Sequence, residues 1–150
     1  MKLKIPPVLV FLIFGLLMYL LARFLPFGHF DFTGRFYLTA ILLLFAAVIA
    51  LVALIQFFKL RTTIDPTRPS KTTKLVDKGI YAFSRNPMYL ALLLVLLAWG
   101  IWLGNAFNTL LAAGFVAYMN RFQVVPEEEA LTAIFGKEYR QYCIKVRRWF

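Results

Sequence analysis

Residues 74–103 read KLVDKGIYAFSRNPMYLALLLVLLAWGIWL, so a polar segment runs directly into a long apolar one. No charged residue lies between Met88 and Leu103, whereas Arg85 and Asn86 come immediately before this apolar part. Charged and hydrogen-bonding side chains at a membrane boundary are costly unless they pair with one another or bind a ligand. The stretch therefore predicts a membrane helix that starts at Pro87 and a functional site at its polar end.

Apolar residues dominate the chain and are gathered into four blocks. The 150 residues are 61% hydrophobic and 16% charged, whereas a soluble domain is about half apolar and about a quarter charged. A membrane-spanning helix needs about 20 apolar residues, with a range of roughly 17 to 25. The sequence predicts an all-α integral membrane protein that forms a single domain over residues 1–150. The four predicted spans cover residues 6–25, 35–58, 87–104 and 106–122.

Basic residues are concentrated on one side of this four-helix arrangement. Of the 17 Lys and Arg residues, only Arg23 and Arg35 fall between the first two spans, and the turn at Gly104 and Asn105 has none. The positive-inside rule makes the other side cytoplasmic, together with both termini. The loop at 59–86 and the tail at 123–150 are then cytoplasmic as well.

The charge balance also bears on partners and location. Membrane topology and contact with anionic lipids account for the net charge of +10 without nucleic-acid binding. The short, basic form of the chain favours the inner (plasma) membrane of a bacterium or an archaeon. Cys143 and His29 each stand alone, which argues against a disulfide framework and against a metal site built from His and Cys.

The tail predicts an amphipathic helix on the cytoplasmic face. Pro126 followed by three glutamates suits the start of a helix, because acidic residues there complement the helix dipole. Apolar residues from Leu131 to Val146 recur at helical spacing, and Gly136 is expected to bend the helix. We expect its apolar face to lie on the inner surface of the membrane.

Three polar clusters are predicted on the cytoplasmic side, and the helical hairpin with its tail brings them towards one pocket. They are Tyr81, Arg85, Asn86 and Tyr89; Asn120, Arg121 and Gln123; and Glu127 and Glu128 with Tyr139, Tyr142, Arg147 and Arg148. Each cluster also has a purely structural interpretation. The arginines can snorkel to lipid phosphates, the acids can cap a helix, and the tyrosines can form an interfacial belt.

Two motifs resemble the isoprenylcysteine carboxyl methyltransferase family, which is related to the membrane phospholipid N-methyltransferases. Residues 79–89, GIYAFSRNPMY, resemble its Gly-x-Tyr…Arg-(His/Asn)-Pro-x-Tyr segment. Residues 127–142, EEEALTAIFGKEYRQY, are similar to its Glu-Glu-x-x-Leu…Phe-Gly-x-x-Tyr-x-x-Tyr tail, and VRRW at 146–149 is similar to the basic ending of bacterial members. The resemblance covers residues 74–149, half of the chain.

The resemblance implies an integral membrane methyltransferase that uses S-adenosyl-L-methionine in a cytoplasm-facing pocket and methylates a lipid or lipid-like acceptor. The cofactor-binding positions that it implies are Tyr81, Arg85, Asn86, Pro87, Tyr89, Glu128, Tyr139 and Tyr142. The residue chemistry agrees, because a glutamate can bind the cofactor's ammonium, and an arginine or the N–H groups at a helix start can bind its carboxylate. Aromatic rings can hold the adenine or face the sulfonium.

Arg85 and Glu127 are the predicted catalytic residues. Methyl transfer is an in-line displacement, so alignment of the reacting groups supplies much of the rate. A carboxylate acceptor needs no general base, whereas an amine acceptor must lose a proton, for which Glu127 is the nearest candidate. Many family members have His at the position of Asn86, and Asn cannot titrate near pH 7, so this position is not a base here.

Two other functional classes stay open at this point, a small four-helix transporter and a non-catalytic membrane scaffold. Drug and proton exchangers need an acidic residue within a span, and all seven acidic residues lie outside the predicted spans. The sequence leaves the acceptor open among phospholipid amines, isoprenoid carboxylates and other small hydrophobic molecules. It leaves the oligomeric state open too.

Overall fold

The computed structural model describes residues 5–59 and 74–150, and all regular elements in these two ranges are helical. Residues 60–73 of the predicted cytoplasmic loop lie outside the described residues. The elements are α1 (Pro7–Phe24), α2 (Arg35–Lys59), a 3₁₀ turn (Gly79–Ala82), α3 (Pro87–Leu103), α4 (Asn108–Met119), a π-helical turn (Asn120–Val124), α5 (Val125–Phe135) and α6 (Lys137–Lys145). The predicted all-α class is confirmed.

Two helices have the length and composition needed to cross a membrane. They are α1 and α2, with mean hydropathies of 2.2 and 3.1; α3 is equally apolar but has 17 residues, and α4 has 12. Large apolar side chains on α1 and α2 are exposed, for example Leu12 at 58% and Leu44 at 64%. Soluble monomers rarely expose contiguous apolar surface of this kind, so these two helices are suited to contact with lipid.

Helix α3 lies at the centre of the packing. Helix α2 packs along it, and α1 packs against both α3 and α4. The main core is formed by Val10, Met18, Leu93, Leu96, Ala112, Phe115 and Met119. Gly100 permits this close packing, because a Cβ atom there would lie 3.0 Å from Met18 Cε and 3.3 Å from Asn108 Cβ.

A tight turn joins α3 to α4, as the sequence predicts. Gly104 ends α3 in the left-handed conformation, with φ of 70°, which glycine adopts without steric cost. The loop between α1 and α2 is fastened to this turn by hydrogen bonds from Phe30 N to Gly104 O, at 2.9 Å, and from Ala106 N to Gly28 O, at 2.8 Å.

The fourth helix differs from its predicted boundaries. The sequence predicts an end at residue 122 and a new helix at Pro126, yet the helical backbone continues from α4 through the π-helical turn into α5. Proline has no N–H, and its ring clashes with the carbonyl four residues earlier in a regular α-helix. The wider π turn immediately before Pro126 avoids this conflict, so the helix carries Glu127 and Glu128 as a direct extension of α4.

The tail folds back onto the chain instead of presenting one continuous apolar face. Gly136, with φ of 52°, separates α5 from α6, which confirms the predicted bend. A second, smaller core consists of Leu75, Tyr139, Tyr142 and Val146, with Leu131, Phe135 and Cys143 packed against it. Much of the face that we expected on the membrane surface is therefore covered by the protein itself.

Replacing Gly79 with alanine is expected to lower the free energy of unfolding by about 2 to 3 kcal/mol. Gly79 has φ of 64°, and a Cβ atom there would overlap the side-chain amide of Gln56, whose Oε1 accepts a hydrogen bond from Ile80 N at 3.0 Å. The change adds backbone strain of roughly 1 to 2 kcal/mol to the loss of a hydrogen bond worth about 1 kcal/mol. Denaturant unfolding in detergent would measure this cost.

A double-mutant cycle with Gln56→Ala separates the two contributions. In the Gln56→Ala background, the cost of Gly79→Ala should fall to the backbone strain alone. Gly34→Ala is the control for positive φ, since a Cβ atom at Gly34 would meet nothing within 4 Å. An equal cost of Gly79→Ala in both backgrounds would rule out the clash with Gln56.

Candidate functional site

The candidate site lies at the start of α3 and centres on the Glu128 carboxylate, which bridges two arginines. Arg85 Nη1 is 2.9 Å from Glu128 Oε1. Arg148 donates two parallel hydrogen bonds, from Nε to Oε1 at 2.9 Å and from Nη2 to Oε2 at 2.7 Å. The side chains of Arg85, Glu128 and Arg148 are 12%, 17% and 39% exposed. The three segments that carry them are thus joined by charge-assisted hydrogen bonds, of which the one from Arg85 is the more buried.

A second carboxylate from α5 contacts α3 directly. Tyr89 lies in the first turn of α3, and its hydroxyl donates a hydrogen bond to Glu127 Oε1 at 2.6 Å. Glu127 precedes Glu128 in the first turn of α5. The two adjacent glutamates therefore connect α5 to Tyr89 and to Arg85.

The last residues of the chain form a strap, residues 146–150, that lies across the start of α3. The strap is held by hydrogen bonds from Arg85 N to Arg147 O, from Asn86 Nδ2 to Arg148 O and from Trp149 Nε1 to Asn120 Oδ1, each at 3.0 Å. Asn86 thus fixes the backbone of the strap, and the strap places the Arg148 side chain next to Glu128.

Arg85 has a buried donor that no acceptor among the described residues satisfies. Its Nη1 also donates to Cys143 Sγ at 2.8 Å, while its Nε is buried and makes no hydrogen bond within the described residues. A buried donor without an acceptor is costly, and native structures contain few of them. This Nε–H is therefore a group to which a bound molecule can supply an acceptor.

The buried tyrosines form the floor beneath the charged cluster. The Tyr142 hydroxyl donates to the backbone carbonyl of Tyr81 at 2.6 Å, and the rings of Tyr139 and Tyr142 lie 6.0 Å apart. Burial raises the pKa of Tyr81 to about 12. Burial is also the main cause of the raised pKa values of Tyr139 and Tyr142. All three hydroxyls are consequently neutral hydrogen-bonding groups at physiological pH.

The structure brings the first and third predicted clusters together but divides the second. Pro87 is the buried first residue of α3. Asn120 reaches the site through Trp149, whereas the Arg121 guanidinium lies 5.8 Å from the centre of the Phe122 ring. Gln123 donates its side-chain N–H to the carbonyl of Ile5 at the start of α1.

Sequence reasoning missed Cys143 and Trp149 as parts of this site, and it left Arg148 outside the cofactor set. The spacing of Cys143 indicated only an apolar helix face. The sequence signal for Arg148 and Trp149 was the VRRW ending, which does not show which residues they contact.

Comparison with known proteins decides the family. The family model described as phospholipid methyltransferase matches residues 34–138, more than half of the chain. The chain belongs to the phospholipid methyltransferase family. Membership of this family indicates a membrane methyltransferase that acts on lipid-like substrates, and it confirms the resemblance found in the sequence. No solved structure matches the chain.

Two individual relatives of this phospholipid methyltransferase family member differ in the number of residues that they match and in the share of each protein that the match covers. An uncharacterized protein of Haemophilus influenzae is 53% identical over 62 residues, which are 41% of this chain and 98% of that protein. The protein-S-isoprenylcysteine O-methyltransferase of Schizosaccharomyces pombe is 32% identical over 94 residues, which are 63% of this chain and 40% of that enzyme. The chain thus matches less than half of the S. pombe enzyme's length.

An apolar groove of about 440 Å³ lies between α1, α2 and α3 of this phospholipid methyltransferase family member. Its lining includes Leu16, Leu43, Leu96 and Trp99, and Trp99 is held in place by a 3.0 Å hydrogen bond from Nε1 to Gly15 O. Leu96 follows Tyr89 by seven residues, so the two lie on the same face of α3 about 10 Å apart along its axis. The part of the groove beside Leu96 therefore lies about 10 Å from Tyr89, in the apolar part of the protein.

Replacing Tyr142 with phenylalanine is expected to lower the free energy of unfolding by about 1 to 2 kcal/mol. The change leaves the carbonyl of Tyr81 without the hydrogen bond that it accepts in this buried region, and an unsatisfied buried acceptor costs roughly this much. Denaturant unfolding in detergent measures the effect. Tyr37→Phe is the matched control, because Tyr37 is exposed on α2; equal small losses in both variants would contradict the prediction.

Proposed function

We propose that this protein is an S-adenosyl-L-methionine-dependent methyltransferase that methylates a carboxylate or an amine of a lipid or lipid-like acceptor at the cytoplasmic membrane face. One observation carries the proposal. In a chain of the phospholipid methyltransferase family, the residues of both sequence motifs meet in the Arg85–Glu128–Arg148 cluster at the start of α3.

The donor and acceptor groups of the cluster fit the charged end of this cofactor. That end carries an ammonium and a carboxylate. A carboxylate has about four acceptor positions, and Glu128 uses three of them, one for Arg85 and two for Arg148. The position that remains suits the ammonium, and the Arg85 Nε–H, which has no acceptor among residues 5–59 and 74–150, suits the carboxylate.

Different residues of the site bind different parts of the cofactor. When bound, the cofactor supplies a methyl group on a sulfonium, ready for in-line displacement. Glu128 and Arg85 bind and orient the amino-acid end, and Asn86 holds the strap that covers it. The rings of Tyr89, Tyr139 and Tyr142 supply aromatic surface for the adenine or the sulfonium, and Tyr81 supports Tyr142.

Glu127 serves the acceptor. For an amine, it takes up the proton that must leave the nitrogen, and its 2.6 Å hydrogen bond from Tyr89 keeps the carboxylate directed at the start of α3. For a carboxylate acceptor no proton is transferred, and Glu127 contributes negative charge near the sulfonium.

The apolar groove supports a lipid-like acceptor. A headgroup at the start of α3 has its hydrocarbon chain directed along that helix, and the groove beside Leu96 and Trp99 lies in this direction. The exposed apolar faces of α1 and α2 give such a molecule a route of access from the bilayer. We place the single domain, residues 1–150, in a bacterial or archaeal inner (plasma) membrane with both termini cytoplasmic, on the distribution of basic residues.

Calorimetric titration of S-adenosyl-L-methionine into the detergent-purified protein tests the cofactor. We expect saturable binding with a micromolar Kd. The acceptor class is tested next, by transfer of a labelled methyl group from the cofactor to membrane lipids and to isoprenoid acids. Absence of binding at millimolar cofactor would reject the proposal and favour a transporter or a scaffold.

A further inference from the structure

We propose that Arg148 binds the carboxylate of the cofactor's amino-acid end, and that its ion pair with Glu128 opens to admit this zwitterionic group. The inference rests on the cofactor proposed above. It adds to Arg85 a second carboxylate-binding residue, which lies on the strap and comes after the last helix of the chain.

Arg148 is the exchangeable partner of Glu128, and Arg85 is the fixed one. The Arg148 side chain is 39% exposed, compared with 12% for Arg85. Arg85 is also held by its contact with Cys143 Sγ, whereas Glu128 accepts both of the hydrogen bonds that Arg148 Nε and Nη2 donate. The Arg148–Glu128 ion pair can therefore open through movement of the Arg148 guanidinium alone.

The charges of the cluster explain why the pair opens without leaving a charge unmatched. Two guanidinium groups face the single Glu128 carboxylate, so the cluster carries one surplus positive charge. With the ammonium beside Glu128 and the carboxylate beside Arg148, each charge has an opposite charge as its neighbour. Arg148 already uses Nε and Nη2 in the parallel arrangement that matches two carboxylate oxygens. It can therefore exchange one carboxylate for another.

The strap allows this exchange without unfolding. The backbone carbonyl of Arg147 accepts a hydrogen bond from Arg85 N, and that of Arg148 accepts one from Asn86 Nδ2. The side chain of the next residue, Trp149, donates to Asn120 Oδ1. The backbone on both sides of the Arg148 side chain is therefore fixed, while the side chain itself reaches outwards. Rotation about side-chain bonds is sufficient to transfer the guanidinium from Glu128 to the ligand.

A cycle of two variants and two ligands tests the role of Arg148. Wild type, Arg148→Gln and the control Arg140→Gln, whose side chain is exposed on α6, are each titrated calorimetrically with S-adenosyl-L-methionine and with its decarboxylated analogue. We expect Arg148→Gln to weaken binding of S-adenosyl-L-methionine about tenfold or more, as for loss of one charge-assisted pair. Binding of the decarboxylated analogue should change by less than about twofold, and Arg140→Gln should leave both affinities unchanged.

Three outcomes would overturn the inference, and they are distinguishable. Equal weakening of both ligands would make Arg148 a structural residue. Tighter binding of S-adenosyl-L-methionine by Arg148→Gln would make it a competitor that must leave the site. If wild type binds neither ligand, the proposed cofactor fails together with the role of Arg148. Thermal unfolding of each variant without ligand verifies that it is folded, and Arg148→Lys, which keeps the charge without the planar fork, should give an intermediate affinity.

Discussion

Replacing Glu128 with glutamine is expected to weaken binding of S-adenosyl-L-methionine about a hundredfold, because a charge-assisted hydrogen bond is worth roughly 1.5 to 3 kcal/mol. The carboxylate is the only acidic group that contacts both Arg85 and Arg148 among the described residues. Glutamine preserves the size of the side chain but removes its charge. The ligand's ammonium then loses its counter-ion, and the two guanidinium groups are left facing each other.

The same variant should also be less stable. Removal of one partner from a buried ion pair costs roughly 3 to 5 kcal/mol. The Arg148 side chain is 39% exposed, so solvent screens the part of this cost that comes from the Arg148–Glu128 ion pair. We therefore expect the free energy of unfolding to fall by about 2 kcal/mol. Calorimetric titration measures the affinity, and denaturant unfolding in detergent measures the stability.

Glu129→Gln is the matched control for this change, because Glu129 is the next residue of α5 and its side chain is exposed. It removes the same charge from the same helix turn without disturbing the cluster. If Glu128→Gln and Glu129→Gln bind the cofactor equally well, then Glu128 is not the ammonium ligand, and the cluster serves only to join α5 to the strap.

Replacing Arg85 with alanine is expected to reduce the rate of methyl transfer about a hundredfold, the effect of roughly 1 Å of misalignment at a reacting centre. Arg85 is the inner partner of Glu128, and its backbone N–H holds the strap through Arg147 O. Without its guanidinium, Glu128 is held from one side only. The cofactor-binding groups then lose the orientation on which an in-line displacement depends.

Arg85→Lys separates charge from geometry. Lysine keeps the positive charge beside Glu128 but cannot supply the planar arrangement of donors that reaches both Glu128 and Cys143. We expect its rate to lie between those of wild type and Arg85→Ala. Initial rates of transfer of a labelled methyl group into lipid measure the effect, with Arg140→Ala on the exposed face of α6 as control. A rate for Arg85→Ala within twofold of wild type would remove Arg85 from the catalytic residues.

Local sequence signals were sufficient for the first three helices. The predicted spans at 6–25, 35–58 and 87–104 differ by one residue or less at each end from α1, α2 and α3. Long apolar runs, a proline at the start and a glycine at the end are signals contained within a single segment. The turn at Gly104 and the bend at Gly136 were likewise predicted from signals within a single segment.

Local signals did not predict where the fourth helix ends. Pro126 followed by glutamates has the pattern of a helix start, and only the π-helical turn at Asn120–Val124 lets the helix continue through it. The cost of a wider turn is balanced by packing of α4 and α5 against the rest of the chain. That balance involves contacts between distant segments, which a local pattern does not contain.

The sequence by itself determined the all-helical class, the family and the polar residues from which the site is built, because each of these depends on residue type and on spacing within one segment. Only the tertiary structure decided which polar residues are partners. Glu128 and Arg148 are 20 residues apart, and Tyr89 and Glu127 are 38 apart. Tyr89 meets Glu127 because α4, continued through the π-helical turn into α5, returns beside α3. Glu128 meets Arg148 because α6 and the strap fold back across the start of α3. The direction of that return is set by packing of the second core, around Leu75, Tyr139 and Tyr142.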